Sequence, residues 1–204
     1  MSKIHMNFKQ FGVLLSISTI LGMNVVASKA LAQETPSIIF GKAIAVGGCI
    51  VEDQLPGADG RTLAIILDET TMTAKEGERK RCILRINATI PSGYRAQKLQ
   101  VLYQGSTDVN SGSKGTSLSR SFNFAGGALG VFTTVPKSTS FTSSELLFQQ
   151  NDEIDFTSNS CGGEGQFGIN LIAQSSPGSS IIVDSSELNA GAGNVICYFP
   201  IVRC

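Results

Sequence analysis

The sequence has no tryptophan, one histidine and three tyrosines among its 204 residues. Each shortage excludes something. The histidine is His5, close to the N-terminus. Ser-His-Asp and Cys-His sites need an imidazole to take the nucleophile's proton, so the chain beyond His5 cannot build one. A zinc site would have to rest on carboxylates or clustered cysteines, and no CxxC occurs. No GxxxxGK[ST] loop is present, and no GxGxxG lies between a strand and a helix. The glycine-rich "CGGEGQFG" leads into a strand, so it offers phosphate no helix N-terminus. No cofactor is implied.

Charge is sparse as well, at 16% of residues. The N-terminus reads as an export signal. Lys3, His5 and Lys9 form its positive region, Phe11 to Ala27 its apolar core, and Ala30 to Ala32 its small-residue cleavage site. Cleavage is expected before Gln33, which makes residues 1–32 the signal and 33–204 a single domain of about 172 residues. The rival is an uncleaved anchor, but Ser16, Ser18, Thr19 and Asn24 interrupt a run already short for a membrane span. No second long apolar stretch occurs after it, so no membrane span is expected after cleavage. Three of the 16 basic residues, Lys3, Lys9 and Lys29, lie in the signal. The remaining 13 face 16 acidic residues, for a net charge of about −3. Nucleic-acid binding needs a basic face, and this balance argues against it.

Hydrophobic alternation with period two dominates the chain beyond the signal. "RTLAIILDE" puts Leu63, Ile65 and Leu67 on one face. "CILRINATI" does the same with Cys82, Leu84, Ile86, Ala88 and Ile90, and "AQKLQVLYQ" with Leu99, Val101 and Tyr103. "RSFNF" groups Arg120 with Phe122 and Phe124. "GQFGINLI" and "NVICYFPIVRC" continue the pattern. Such alternation marks half-buried strands. Gly, Ser, Asn and Pro clusters punctuate it, including "LPGADG", "IPSGY", "SSPGSS" and "NAGAGN". The expected fold is an all-β, antiparallel β-sandwich, jelly-roll-like or Greek-key, stabilised by disulfides. Gly105 to Ser119 is read as a long hairpin loop. Thr142 to Ile154 reads as a short helix or an edge strand.

The order "GGCI", "LAIILDETTMTAKEGERKRCILRINATIPSGYRAQKLQVLYQG", "SCGGEG" and terminal "IVRC" resembles a family of small secreted proteins, known as domain of unknown function four-three-six-zero. The likeness covers most of residues 40–204. Its most specific part is a cysteine after a short basic run, a strand, a Pro-x-Gly-Tyr turn, and a strand ending in Tyr-x-Gly. The resemblance implies a secreted β-rich domain with four framework cysteines, mapping onto Cys49, Cys82, Cys161 and Cys204. It implies no established activity. The family favours proline after the first framework cysteine, where Ile50 stands here.

Four cysteines allow three connectivities. Strand order argues for Cys49–Cys82 and Cys161–Cys204. Cys161 precedes one strand and Cys204 ends the last; if those two strands are antiparallel neighbours, the cysteines meet. Cys197 is left over, as a buried free thiol or an intermolecular bridge. Arg79, Lys80 and Arg81 read as a solvated turn, with a binding patch as the alternative.

Carboxylates are the remaining candidates for catalysis: Glu52, Asp53, Asp68, Glu69, Asp152, Glu153 and Asp155. "NDEIDF" carries oxygen ligands suited to calcium but lacks the EF-hand spacing. Tyr103 is expected in the core. Tyr94 and Tyr198 are the candidate ligand contacts. Asn87 begins a formal glycosylation acceptor in mid-strand. The expected function is an exported, non-enzymatic structural or surface-associated protein, secreted, periplasmic or at the cell surface. The alternative is a module binding an extracellular glycan or a surface protein. A carboxylate-dependent hydrolase ranks third.

Overall fold

The computed structural model describes residues 36–156, 160–183 and 195–204. The signal segment, its cleavage site and the "NAGAGN" turn lie outside them. The described residues hold sixteen strands and no helix. The first eight are β1 (Ile39–Phe40), β2 (Ile44–Val46), β3 (Val51–Pro56), β4 (Thr62–Leu67), β5 (Thr73–Lys75), β6 (Arg79–Ile90), β7 (Tyr94–Ala96) and β8 (Lys98–Val109). Next come β9 (Thr116–Gly127), β10 (Val131–Thr133), β11 (Lys137–Phe141) and β12 (Glu145–Asp155). The last are β13 (Gly163–Ser175), β14 (Ser179–Ile182), β15 (Val195–Tyr198) and β16 (Ile201–Arg203).

Two seven-stranded antiparallel sheets form a β-sandwich. The first is built on three long strands in the order β6-β13-β9. β1 and β2 share the outer edge of β6, and β10 and β11 share that of β9. The second runs β3-β4-β15-β8, with β14 beside β8 further along and β12 on the other side of β8. β7 and β16 make a separate pair.

The apolar alternation is what packs these sheets. Leu84 and Ile86 of β6, Phe122 and Phe124 of β9, and Phe167 and Ile169 of β13 face Leu63, Val101, Tyr103 and Phe199 in one continuous core. The outward positions of the long strands are mostly polar, whereas the short edge strands and β12 also expose Ile39, Ile44, Val46, Val131 and Leu146. Phe199 sits 5.0 Å from Phe167, ring centre to ring centre, in the edge-to-face arrangement aromatic pairs favour.

Two local expectations are corrected and one open alternative is decided. Gly105 to Ser119 is mostly strand: β8 runs on to Val109 and β9 begins at Thr116, leaving a six-residue connection at 110–115. Its polar residues hid the strands, because the neighbours β12, β14 and β11 satisfy their backbones. Gly105 belongs there for lack of space. A Cβ would lie 2.1 Å from the Ile182 carbonyl oxygen. Arg79 to Arg81 likewise open β6 and are no turn. Of the two readings of Thr142 to Ile154, the edge strand holds: from Glu145 on it is β12, without helix.

Candidate functional site

β11 edges the first sheet and β12 edges the second, and they are consecutive in the chain. Here the sandwich is open. A cleft of about 400 Å³ lies between the two edges. Phe122, Phe132, Val135, Pro136 and Ile154 supply its apolar wall, while Arg120 and Lys137 line its polar part. Thr134 to Pro136 interrupt the edge between β10 and β11, where Thr134 bonds back to Phe122 through both backbone and side chain.

Arg120 follows the alternation of β9 and therefore points inward, 5% exposed. Asp152 of β12 faces it and is 4% exposed. The Arg120 Nε donates to Asp152 Oδ2 at 2.8 Å. Its Nη1 donates to the Leu118 carbonyl at 2.9 Å and to Thr139 Oγ1 at 3.0 Å. Thr139 in turn donates to Gln150 Oε1 at 3.0 Å. The guanidinium carries five N–H donors. Those of Nη2 have no partner among the described residues, and Arg120 lines the cleft. Lys137 Nζ lies 3.9 Å from the second oxygen of Asp152. Arg120 thus brings an unused donor to the cleft, whose lining also includes the carboxylates Glu153 and Asp155, while Asp152 itself is buried behind the lining.

Behind this pair lies Tyr103, with the guanidinium carbon 5.7 Å from its ring centre. Its hydroxyl has no hydrogen-bond partner among the described residues. Burial, then the Asp152 charge, pushes its ionisation well above the ordinary phenol value. Tyr103 is core, in keeping with its alternation.

The cysteines divide cleanly. Cys49 is joined to Cys82 with Cα atoms 5.1 Å apart, and Cys161 to Cys204 at 6.0 Å. For the first bridge, β2 runs antiparallel to β6 with Val46 opposite Ile83, so Cys49 arrives beside Cys82. For the second, the expected strand adjacency is wrong. β13 pairs with β6 and β9, whereas the terminal strand β16 pairs with β7. Gly163 stands opposite Ile90, the chain turns at 91–93 into β7, and the Cys204 N–H bonds the Gly93 carbonyl at 2.9 Å. The bridge therefore closes around that turn.

Cys197 is free and wholly buried, and burial pushes its thiol up to about 12. Only the thiolate attacks disulfide reagents. Native protein at pH 8 is therefore expected to release no colour from Ellman's reagent, and one equivalent after denaturation in guanidinium. A full equivalent from the native state would show an accessible thiol.

The acidic run "NDEIDF" is split by strand alternation. Asp152 turns inward to Arg120, whereas Lys98 bonds Glu153 and approaches Asp155 at 3.5 Å. Among the described residues, no three His, Cys, Asp or Glu side chains gather into a metal-binding group.

A family model matches residues 54–193. The chain belongs to the family Domain of unknown function (DUF4360). No curated protein matches this DUF4360 chain. Two solved structures are similar to it. One is TmCBM61 in complex with β-1,4-galactotriose, at 12% identity, with 80% of this chain and 87% of that one covered and a TM-score of 0.33. The other is the enzymatically active domain of bacteriophage CBA120 tailspike protein 4, at 11% identity, 82% and 20% coverage and a TM-score of 0.31. Likenesses this distant carry no argument about function.

The two tyrosines singled out from the sequence do not line the cleft. Tyr94 is half-buried against the core, and its hydroxyl accepts a hydrogen bond from Arg203 Nε at 3.3 Å. Tyr198 is half-buried on β15. Sequence reasoning missed Arg120, Asp152 and Phe132 as a group. A signal was present: Arg120 falls on the apolar face of "RSFNF", where a charge needs a buried partner.

Proposed function

We propose that the protein is an exported, non-enzymatic binding module that takes a neutral saccharide unit into the cleft between β11 and β12. The observation that carries this reading is the Nη2 of Arg120, without a partner among the described residues, in a cleft whose lining also holds the carboxylates Glu153 and Asp155. Donors and acceptors lining one cleft complement the hydroxyls of a sugar. Phe132, 41% exposed on the wall, offers a flat apolar surface to the ring's C–H face. Charges around the cleft balance, since Arg120, Lys137 and Lys98 stand against Asp152, Glu153 and Asp155. A neutral, hydroxyl-rich ligand fits that balance better than an ion does. The volume falls within the range of small-molecule pockets, roughly 300–1,000 Å³. The cleft moves the reading from a purely structural surface protein to a binding one.

Two features support the non-enzymatic part. Asp152 is committed to its ion pair. Hydrogen bonds from Lys98 and Gln100 hold the Glu153 carboxyl below its usual range. A glycosidase's general acid needs the opposite shift. The two disulfides suit an oxidising compartment, in keeping with export.

The test is a neutral-glycan array followed by calorimetry on its hits. Phe132→Ala is expected to weaken binding about tenfold, the ~1.4 kcal/mol scale of a truncated aromatic contact. No saccharide bound at millimolar concentration, or affinity unchanged in the variant, would sink the reading.

A further inference from the structure

Away from the cleft, the outer face of the first sheet carries a separate feature. β6 alternates, so Arg79, Arg81 and Arg85 all point outward and are exposed, while Cys82, Leu84 and Ile86 point inward. Lys80 falls on the other side and pairs with Glu78 at 3.6 Å. The three arginines have no acidic partner among the described residues. Along one strand they are spaced about 7 Å and about 13 Å apart, from a rise of ~3.3 Å per residue. The register sets this row in a mixed face: Arg81 lies opposite Ile172, Arg85 lies opposite Gly168 on one side and the exposed Ile44 on the other, and the polar pairs lie between and beyond them. Arg79 lies opposite Gln174, Ile83 opposite Asn170, and Asn87 opposite Gln166. Amides and hydroxyls are laced together across the strands: Gln166 to Asn87 at 2.9 Å, Asn170 to Ser121 at 3.3 Å, and Ser119 to Ser138 at 3.0 Å. Glu164, opposite Thr89 near the far end of the sheet, is the acidic residue this register places on the face.

We propose that this face docks an acidic polysaccharide. A row of like charges suits a polyanion whose charges repeat along its length better than a single anion. The amide and hydroxyl ladder beside the row suits a hydroxyl-rich chain lying across the strands. A nucleic acid fits less well, because the paired positions of β6, β13 and β9 on this face present no aromatic side chain on which bases stack. The surface is independent of the cleft, so each stands or falls alone.

Affinity electrophoresis in gels containing polygalacturonate tests it, with dextran gels as the neutral control. Wild-type protein is expected to be retarded at low ionic strength and released by about 0.5 M salt, where surface charges are screened. The triple variant Arg79→Ser, Arg81→Ser, Arg85→Ser should lose at least tenfold in affinity. The matching triple lysine variant, which keeps the charge, should retain binding, and Phe132→Ala should bind as wild type does. Circular dichroism establishes that the variants are folded. The proposal is overturned if wild type is not retarded, if the serine variant is retarded equally, or if single-stranded DNA competes as well as polygalacturonate.

Discussion

Reduction of the two disulfides is expected to unfold the protein at temperatures where the oxidised form stays native. The bridges close chain segments of 33 and 43 residues. In the chain-entropy model each removes roughly 4 kcal/mol worth of freedom from the unfolded state. Together they approach the whole stability of an ordinary domain, about 5–15 kcal/mol. The two are placed to act separately. Cys49–Cys82 ties β2 to the central strand β6, and Cys161–Cys204 ties the chain end to the turn before β7. Each double alanine variant should therefore lower Tm by roughly 8–16 °C, as scaled for a domain of this size. Thermal melts with and without a reductant measure it. A fall of only a few degrees on full reduction would show that the core alone holds the fold.

Asp152→Ala should be the most damaging single substitution around the cleft, because Asp152 is the buried partner of the cleft-lining Arg120. It strands the Arg120 guanidinium, 5% exposed, over the Tyr103 ring without its counter-charge. Breaking one half of a buried ion pair costs about 3–5 kcal/mol. Removing both halves behaves differently, because apolar side chains of similar volume often replace a buried pair at little net loss. The double variant Arg120→Met, Asp152→Leu is accordingly expected to recover most of the stability and none of the saccharide binding. Urea unfolding of the single and double variants separates the two effects. A single variant as stable as wild type would mean that water from the cleft already solvates the arginine. Glu153→Gln serves as a surface control, with a much smaller expected loss, because its partner Lys98 stays in water.

The family was legible in the residues around Cys82 because cysteine spacing and a strand-turn-strand pattern survive without any knowledge of packing. Strand content was legible too, where one face was apolar. It failed where apolar residues were too few to show an alternation, as at Ser106 to Val109 and Thr116 to Ser119, since such strands depend on hydrogen-bonding neighbours remote in sequence. The cysteine pairs could be argued from strand order, yet the argument for the second relied on a neighbour relation that the sheets do not contain.

By itself, then, the sequence determined an antiparallel β fold, the inward faces of its apolar strands, and the interior position of Cys82 and Tyr103. Alternation decides these locally, because a residue's side of the strand is set by parity alone. The tertiary structure alone decided the rest. Arg120 meets Asp152 because β9 and β12 belong to different sheets whose edges face one another across the sandwich opening. Arg79, Arg81 and Arg85 become one row because the run opens a strand that is paired with β13. Parity says which way a side chain points; only the order and packing of the sheets says what it finds there.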